Sequence, residues 1–278
     1  MKNSTLIGII IGLLAISIAF FLEGGNITSL FLLPPLIIVL GGTLAAGLAS
    51  TSWKIFSRIF KLMYISFSPP KYEKKHIIFE LLNMSVTARA LGLLAVESQF
   101  SSQTHPYLKK MFQVCIDGGN ENTLADMYEI ETLNITERHS DNINLFAKLG
   151  AFSPTMGIIG TVMGLISTMA AAGGDPNQLI HSIGIAFLAT LWGIVMANLV
   201  WIPISDKLQL IHNEEMHLLG VIFEGVKSVQ LGEPPSVVYT RLAGSFPISE
   251  QNDFLSEAKL IVDKSRQSLA AIQTPVDM

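Results

Sequence analysis

Cysteine is nearly absent. Cys115 stands alone in 278 residues, so no internal disulfide can form, and a thiol without a partner reads as a small apolar core residue. Charge is scarce as well. Asp, Glu, Lys and Arg make up 14% of the chain while 50% is hydrophobic; soluble domains carry about 25% charged residues, so a large part of this chain sits outside water. A net charge of −4 provides no basic field for nucleic acid. The histidines His76, His105, His139, His181, His212 and His217 show no HxxxH, CxxC or HExxH grouping, the spacings that place ligands around a metal. No GxSxG, P-loop or GxGxxG occurs either. These absences argue against a metal centre, a resident cofactor and an enzyme.

Long apolar runs are what the chain does have. No charged residue occurs between Asn3 and Leu22, Gly24 and Trp53, Leu149 and Gly174, or Pro176 and Ser205. A helix needs about 20 residues to cross the hydrocarbon core, so each run crosses once. The second opens its helix at "LPP", where proline suits a first turn. A cleaved signal peptide fits the first run poorly, because only Lys2 precedes it and "EGGNITS" is a weak cleavage site.

Lysine and arginine set the orientation. Of the 18, eleven lie in Ser52–Lys148, six follow Ser205, and one is Lys2. The loops Glu23–Ser29 and Ala172–Gln178 hold none. The positive-inside rule therefore puts both termini, the middle segment and the tail in the cytoplasm. The segments are 1–52 with two spans, 53–148 as a cytoplasmic helical domain, 149–205 with two more spans, and 206–278 as a helical extension and tail.

The cytoplasmic parts read as helices. "KYEKKHIIFELLNMSVTARALGLLAVESQF" places Ile77, Ile78, Leu81, Leu82, Val86 and Ala90 at helical spacing. "ENTLADMYEIETLNITERHSDNINLFAKLG" reads as one helix running on into the third span. After the fourth span a helix continues with Leu208, Ile211, Leu218, Ile222, Val226 and Val229 apolar, and Gly232 before "EPP" stops it. The last twenty or so residues read as mobile. The fold class is thus all-α, an integral membrane protein with four spans and a large cytoplasmic insertion between the second and third.

Within the spans, small and hydroxyl residues form stripes. Pro154, Gly157, Thr161, Gly164 and Thr168 fall on one side of the third span, and Ala186, Thr190, Gly193 and Ala197 on one side of the fourth. Thr161 and Thr190 lie at similar depth near mid-membrane; Pro154 and Pro203 lie near the cytoplasmic surface. Gly157, Gly164 and Gly193 allow close helix packing, and threonines bonded to their own backbone are a sufficient structural account of the stripes. No span holds Asp, Glu, Lys or Arg, although intramembrane ionisable groups are the usual mark of an ion or proton pathway. If the chain moves an ion, its hydroxyls supply neutral oxygens and a second protein supplies the charge.

"TARALGLLAVE" (Thr87–Glu97), "SPTMGIIGTVMGLI" (Ser153–Ile166), "ATLWGIVMANLVWIPISDKL" (Ala189–Leu208) and "GEPPSVVYTRL" (Gly232–Leu242) resemble the signature blocks of the MotA family, the larger subunit of the flagellar motor stator. "LPPLIIVLGGTLAA" (Leu33–Ala46) resembles that family's second span. The resemblance covers nearly the whole chain. It implies a pentameric ring around a MotB-type partner dimer that contributes the missing aspartate, ion flow turning the ring against a rotor switch protein, and an inner-membrane location in contact with lipid. By position, Thr161 and Thr190 match the ion pathway, Pro154 and Pro203 the two prolines that couple flow to motion, and Arg89 and Glu97 the charged pair that meets the rotor. On one continuous helix Arg89 and Glu97 lie within about 80° of each other and about 12 Å apart, too far for a mutual ion pair. Threonine at 161 resembles the sodium-driven branch, whereas Ala189 stands where that branch often has a second threonine; the ion is sodium in preference to a proton. An energiser of the ExbB/TolQ kind, which has three spans, and a membrane scaffold without ion coupling are the alternatives.

Overall fold

The computed structural model describes residues 4–70, 73–170 and 176–273. Among them every regular element is helical. The loop expected at Ala172–Gln178 lies outside the described residues as far as position 175. Four stretches are long and apolar enough to cross a membrane: Ser4–Leu22, Ile27–Ala49, Glu121–Ala170 and Ser182–Gln230.

The chain divides into two compact units. One comprises Met1–Pro70 and Glu137–His212, the other Lys71–Thr136 and Asn213–Met278. Residues 53–70, 137–148 and 206–212 therefore belong to the same unit as the spans.

In the first unit Ser4–Leu22 buries none of its residues. It meets the fourth span where Gly12 faces Leu199, close enough that a Cβ would stand 2.9 Å from the leucine side chain. The second span starts at Asn26, whose Oδ1 accepts from the Thr28 amide at 3.1 Å. Pro34 has no N–H to give the carbonyl four residues back. That carbonyl, of Leu30, instead accepts from the Trp192 indole at 2.6 Å, which ties the second span to the fourth. At the other end of this unit Leu145, Phe146 and Leu149 pack with Ile59, Leu62, Trp201, Ile204 and Leu208. The short helix Ile59–Phe67 turns Ile59 and Leu62 into that core.

The second unit is built on the Lys74–Leu91 helix. Ile77, Ile78, Leu81, Leu82 and Val86 are buried as the spacing predicts; Ala90 is exposed, one residue before the helix ends. Leu108, Met111 and Phe112 of Pro106–Ile116 complete this core with Leu218, Ile222, Val226 and Val229. The helix after the fourth span runs Ile202–Gln230, and Gly232 follows at φ 71°, a conformation glycine adopts without strain.

Two expectations need correction. The last twenty residues include the end of an ordered helix, Ile248–Gln273, which buries Val262 along with Phe254 and Ala258 in the second core; residues 274–278 lie outside the described residues. The amphipathic helix that begins near residue 74 stops at Leu91. Gly92 takes φ 89° and Leu93–Gln99 continues as a 3₁₀ helix. That break turns Val96 fully into the core, and Gln99 Nε2 donates back to Thr87 Oγ1 at 2.6 Å.

Candidate functional site

Glycines on the third and fourth spans bring the two backbones together. A Cβ at Gly157 would stand 2.8 Å from the Ala189 carbonyl oxygen and 3.0 Å from the Thr190 Cα. One at Gly193 would stand 2.7 Å from the Ser153 carbonyl oxygen and 3.1 Å from the Gly157 Cα. Gly164 meets Ala186 in the same way. The small-residue stripes of the two spans therefore face each other. The opposite side of the third span is open: Ile159, Met163 and Ile166 are exposed, while Met156 fits against Gly42 of the second span.

This approach brings the two threonines into contact. The hydroxyls of Thr161 and Thr190 hydrogen-bond to each other. Thr161 Oγ1 also donates within reach of the Gly157 carbonyl at 3.1 Å and the Ala186 carbonyl at 3.0 Å, and Thr190 Oγ1 lies 3.4 Å from the same Gly157 carbonyl. Each hydroxyl has one proton to donate and two lone pairs. Two protons thus serve a cluster of four oxygens, which leaves oxygen lone pairs to offer and no formal charge. Such a set suits a hard cation or a water chain. Among the described residues, the hydroxyls of Ser153 on the third span and Thr43 on the second are buried without a hydrogen-bond partner.

Both prolines sit inside helices. Pro154 interrupts the hydrogen-bond ladder of the 50-residue Glu121–Ala170 helix, and its Cα lies under Gly193. Pro203 follows a π-turn at Ala197–Trp201. A proline removes a ladder bond and its ring crowds the carbonyl four residues back, here that of Leu199; a widened turn at that carbonyl relieves the crowding.

Arg89 and Glu97 are both exposed but do not share one helix, because the break at Gly92 falls between them. The common face expected from helical spacing does not exist. Nor is Arg89 wholly available to an outside partner: its Nη1 donates to the Gly232 carbonyl at 2.8 Å. The Glu97 carboxylate makes no ion pair among the described residues.

One feature of the first unit was missed from sequence. Beyond the third and fourth spans, His139 and His212 approach with Nδ1 atoms 3.2 Å apart. They flank a cavity that Arg58, Lys61 and Arg138 also line. A signal was present: counting equal distances from Thr161 back along one helix and from Thr190 forward along the other reaches these two histidines.

Comparison with known proteins agrees with this architecture. Residues 6–90 match the family model described as motility protein A N-terminal, and residues 99–220 match that of the MotA/TolQ/ExbB proton channel family. Motility protein A of Bacillus subtilis (strain 168) is 29% identical over 93% of this chain and 96% of its own length. Motility protein A of Aquifex aeolicus (strain VF5) is 30% identical over 86% of this chain and 94% of its own. The structure of the flagellar MotAB stator complex from Bacillus subtilis aligns with a TM-score of 0.84 at 28% identity, covering 90% of this chain and 99% of that one. Four spans, the helical insertion between the second and third, and the two family matches lead to one assignment: this chain belongs to the MotA/TolQ/ExbB family, among the motility protein A sequences.

Proposed function

We propose that this chain is the larger membrane subunit of a flagellar motor stator, which passes ions across the inner membrane together with a MotB-type partner and converts their flow into torque. It is an ion-coupled motor component and not an enzyme. The observation that carries this reading is the match to a flagellar stator over 90% of the chain, and the motility-type N-terminal match over residues 6–90 separates it from a general energiser.

The physical division of labour follows from the spans. Their uncharged runs contain no Asp, Glu, Lys or Arg, so the partner's intramembrane aspartate carries the charge and the Thr161–Thr190 oxygens complete the path. Sodium is the preferred ion, because threonine at 161 resembles the sodium-driven branch and the paired hydroxyls and carbonyls are compatible with a hard cation. A homo-oligomeric ring of five copies surrounds the partner helices. Pro154 and Pro203 hold the two pathway helices in the shape that responds to the ion. Glu97 and Arg89 present charge to the rotor switch protein, and both termini lie in the cytoplasm.

The test is single-motor rotation against external sodium at fixed pH, in a strain whose only stator is this chain with its cognate partner. Rotation that rises with sodium and changes its sodium dependence in Thr161→Ala supports the full reading. Rotation indifferent to sodium but abolished by a protonophore keeps the stator and replaces the ion with a proton. A complex that assembles and never rotates the motor overturns the stator reading.

A further inference from the structure

We propose that the cavity beside the His139–His212 pair binds a phosphate-bearing anion, supplied by the headgroup of an anionic phospholipid. The cavity measures about 440 Å³, and Arg58, Lys61, Arg138, Asn142 and the two histidines supply its polar lining. No carboxylate lines it. Arg58, Lys61 and Arg138 form no ion pair among the described residues. Three positive groups around one hollow repel each other, and an anion seated between them removes that cost. Guanidinium groups match phosphate oxygens two at a time, and the asparagine amide and imidazole rings add further hydrogen-bond donors.

Position argues for a lipid as the source. Arg58 and Lys61 lie in the segment directly after the second span ends at Ala49, and Lys61 sits in the Ile59–Phe67 helix. That helix buries Ile59 and Leu62 yet leaves Phe60 80% and Tyr64 70% exposed. The two aromatics are four residues apart and so share one face; Trp53, just upstream, is 70% exposed. Exposed aromatic rings next to a span end are the pattern of a membrane–water interface. Leu62 and Ile65 continue the cavity wall in apolar terms, which suits the glycerol end of a lipid better than a free phosphate ion. Basic pockets at the cytoplasmic ends of spans are sites of headgroup binding, each basic group contributing about 1 kcal/mol near an anionic surface.

This inference rests on the spans lying in a membrane, as the stator reading requires, and does not depend on torque. The experiment uses the full chain purified with its partner subunit in detergent. Bound lipid is counted by native mass spectrometry while phosphatidylglycerol or phosphatidylethanolamine is titrated. Wild type should prefer phosphatidylglycerol, and Arg58→Gln/Lys61→Gln/Arg138→Gln should reduce that preference about a hundredfold, given about fivefold for each of the three basic groups. Lys54→Gln, a nearby exposed charge outside the cavity, should leave it unchanged, and Lys61→Arg should retain it. Should the triple variant fail to assemble, Arg138→Gln alone, compared with Lys54→Gln, decides the matter. Equal binding of the two lipids, or equal loss from Lys54→Gln, overturns the proposal. Displacement of the lipid by millimolar glycerol phosphate, with equal occupancy in the lipid-free complex, would make the ligand a soluble phosphate and overturn the lipid source. Rotation by a complex without lipid preference would remove this site while leaving the stator assignment in place.

Discussion

The hydroxyls of Thr161 and Thr190 meet across the third and fourth spans, 29 residues apart in sequence, and share the Gly157 carbonyl as a common acceptor. Removing one hydroxyl leaves the other with carbonyl partners, so the spans stay packed while the oxygen set loses a member. Thr190→Ala should therefore assemble normally, at a stability cost of about 1 kcal/mol for the lost bond, and, if the proposed sodium path holds, should raise the sodium concentration needed for half-maximal rotation severalfold. Thr190→Ser keeps the oxygen and should behave nearly as wild type. If alanine and serine at this position rotate alike, the hydroxyl has only a packing role.

The seam that holds this pair responds differently to added volume. At Gly157 and Gly193 a new methyl meets backbone atoms, which cannot rotate aside. Gly157→Ala or Gly193→Ala should lower stability by about 1–3 kcal/mol and reduce recovery of the assembled complex. Gly8→Ala enters open space and should be neutral or slightly stabilising through helix propensity. Apparent Tm in detergent separates these cases; equal values for Gly8→Ala and Gly193→Ala would show that the seam is looser than its distances imply.

Pro154 lies under Gly193, and Pro203 follows the π-turn Ala197–Trp201. Alanine at either position restores a backbone donor and lets the ladder close. Pro154→Ala and Pro203→Ala should therefore insert into the membrane in normal amount and be no less stable, yet reduce motor torque. Loss of the protein from the membrane fraction in either variant would show that the prolines serve insertion and not coupling.

Much of this arrangement was legible in the sequence, for reasons that also mark the limits. Uncharged runs of span length report directly on the hydrocarbon they must cross, so all four helices were found. Thr161 and Thr190 were placed at one depth by counting from the span ends, and the structure joins them. The shared helix face expected for Arg89 and Glu97 is absent because periodicity across "RALGLLAVE" continues through Gly92, and only tertiary packing of Val96 rewards the turn there. Mobility is the expectation for the last twenty residues, yet Val262 and Leu269 continue the helical spacing of Phe254 and Ala258; the polar residues between them dilute that narrow stripe. The basic cavity joins three separate segments, and no local pattern announces such a meeting.

The break at Gly92 gives Arg89 and Glu97 different expected phenotypes. Arg89 ties the end of its helix to the Gly232 carbonyl. Arg89→Glu should lose this exposed bond, lower stability by at most about 1 kcal/mol, and impair motility. Glu97→Lys has no such bond to lose; it should leave apparent Tm unchanged while impairing motility to a similar degree. Unaltered swimming in Glu97→Lys would remove it from the rotor contact. A large fall in Tm for Arg89→Glu would identify that residue as chiefly structural.

Acid sensitivity should concentrate at two histidines of the second unit. Burial holds His105 below its ordinary pKa, although Glu215 and Glu80 oppose the shift. Burial also lowers His217, and the Lys74 ammonium, 3.4 Å away, pushes in the same direction. A folded state that keeps both rings neutral binds fewer protons than the unfolded chain once pH drops to about 6.5. Their contribution to stability is complete above that pH and declines as pH falls from there through the folded-state values. Apparent Tm measured in detergent between pH 8 and pH 5 should fall on acidification, and His105→Gln/His217→Gln should fall less steeply. Each glutamine keeps hydrogen-bonding capacity without a titrating group, so the difference in slope isolates the protons. Parallel slopes for wild type and variant would assign the acid response elsewhere in the chain, since the two rings would then take up protons equally in both states.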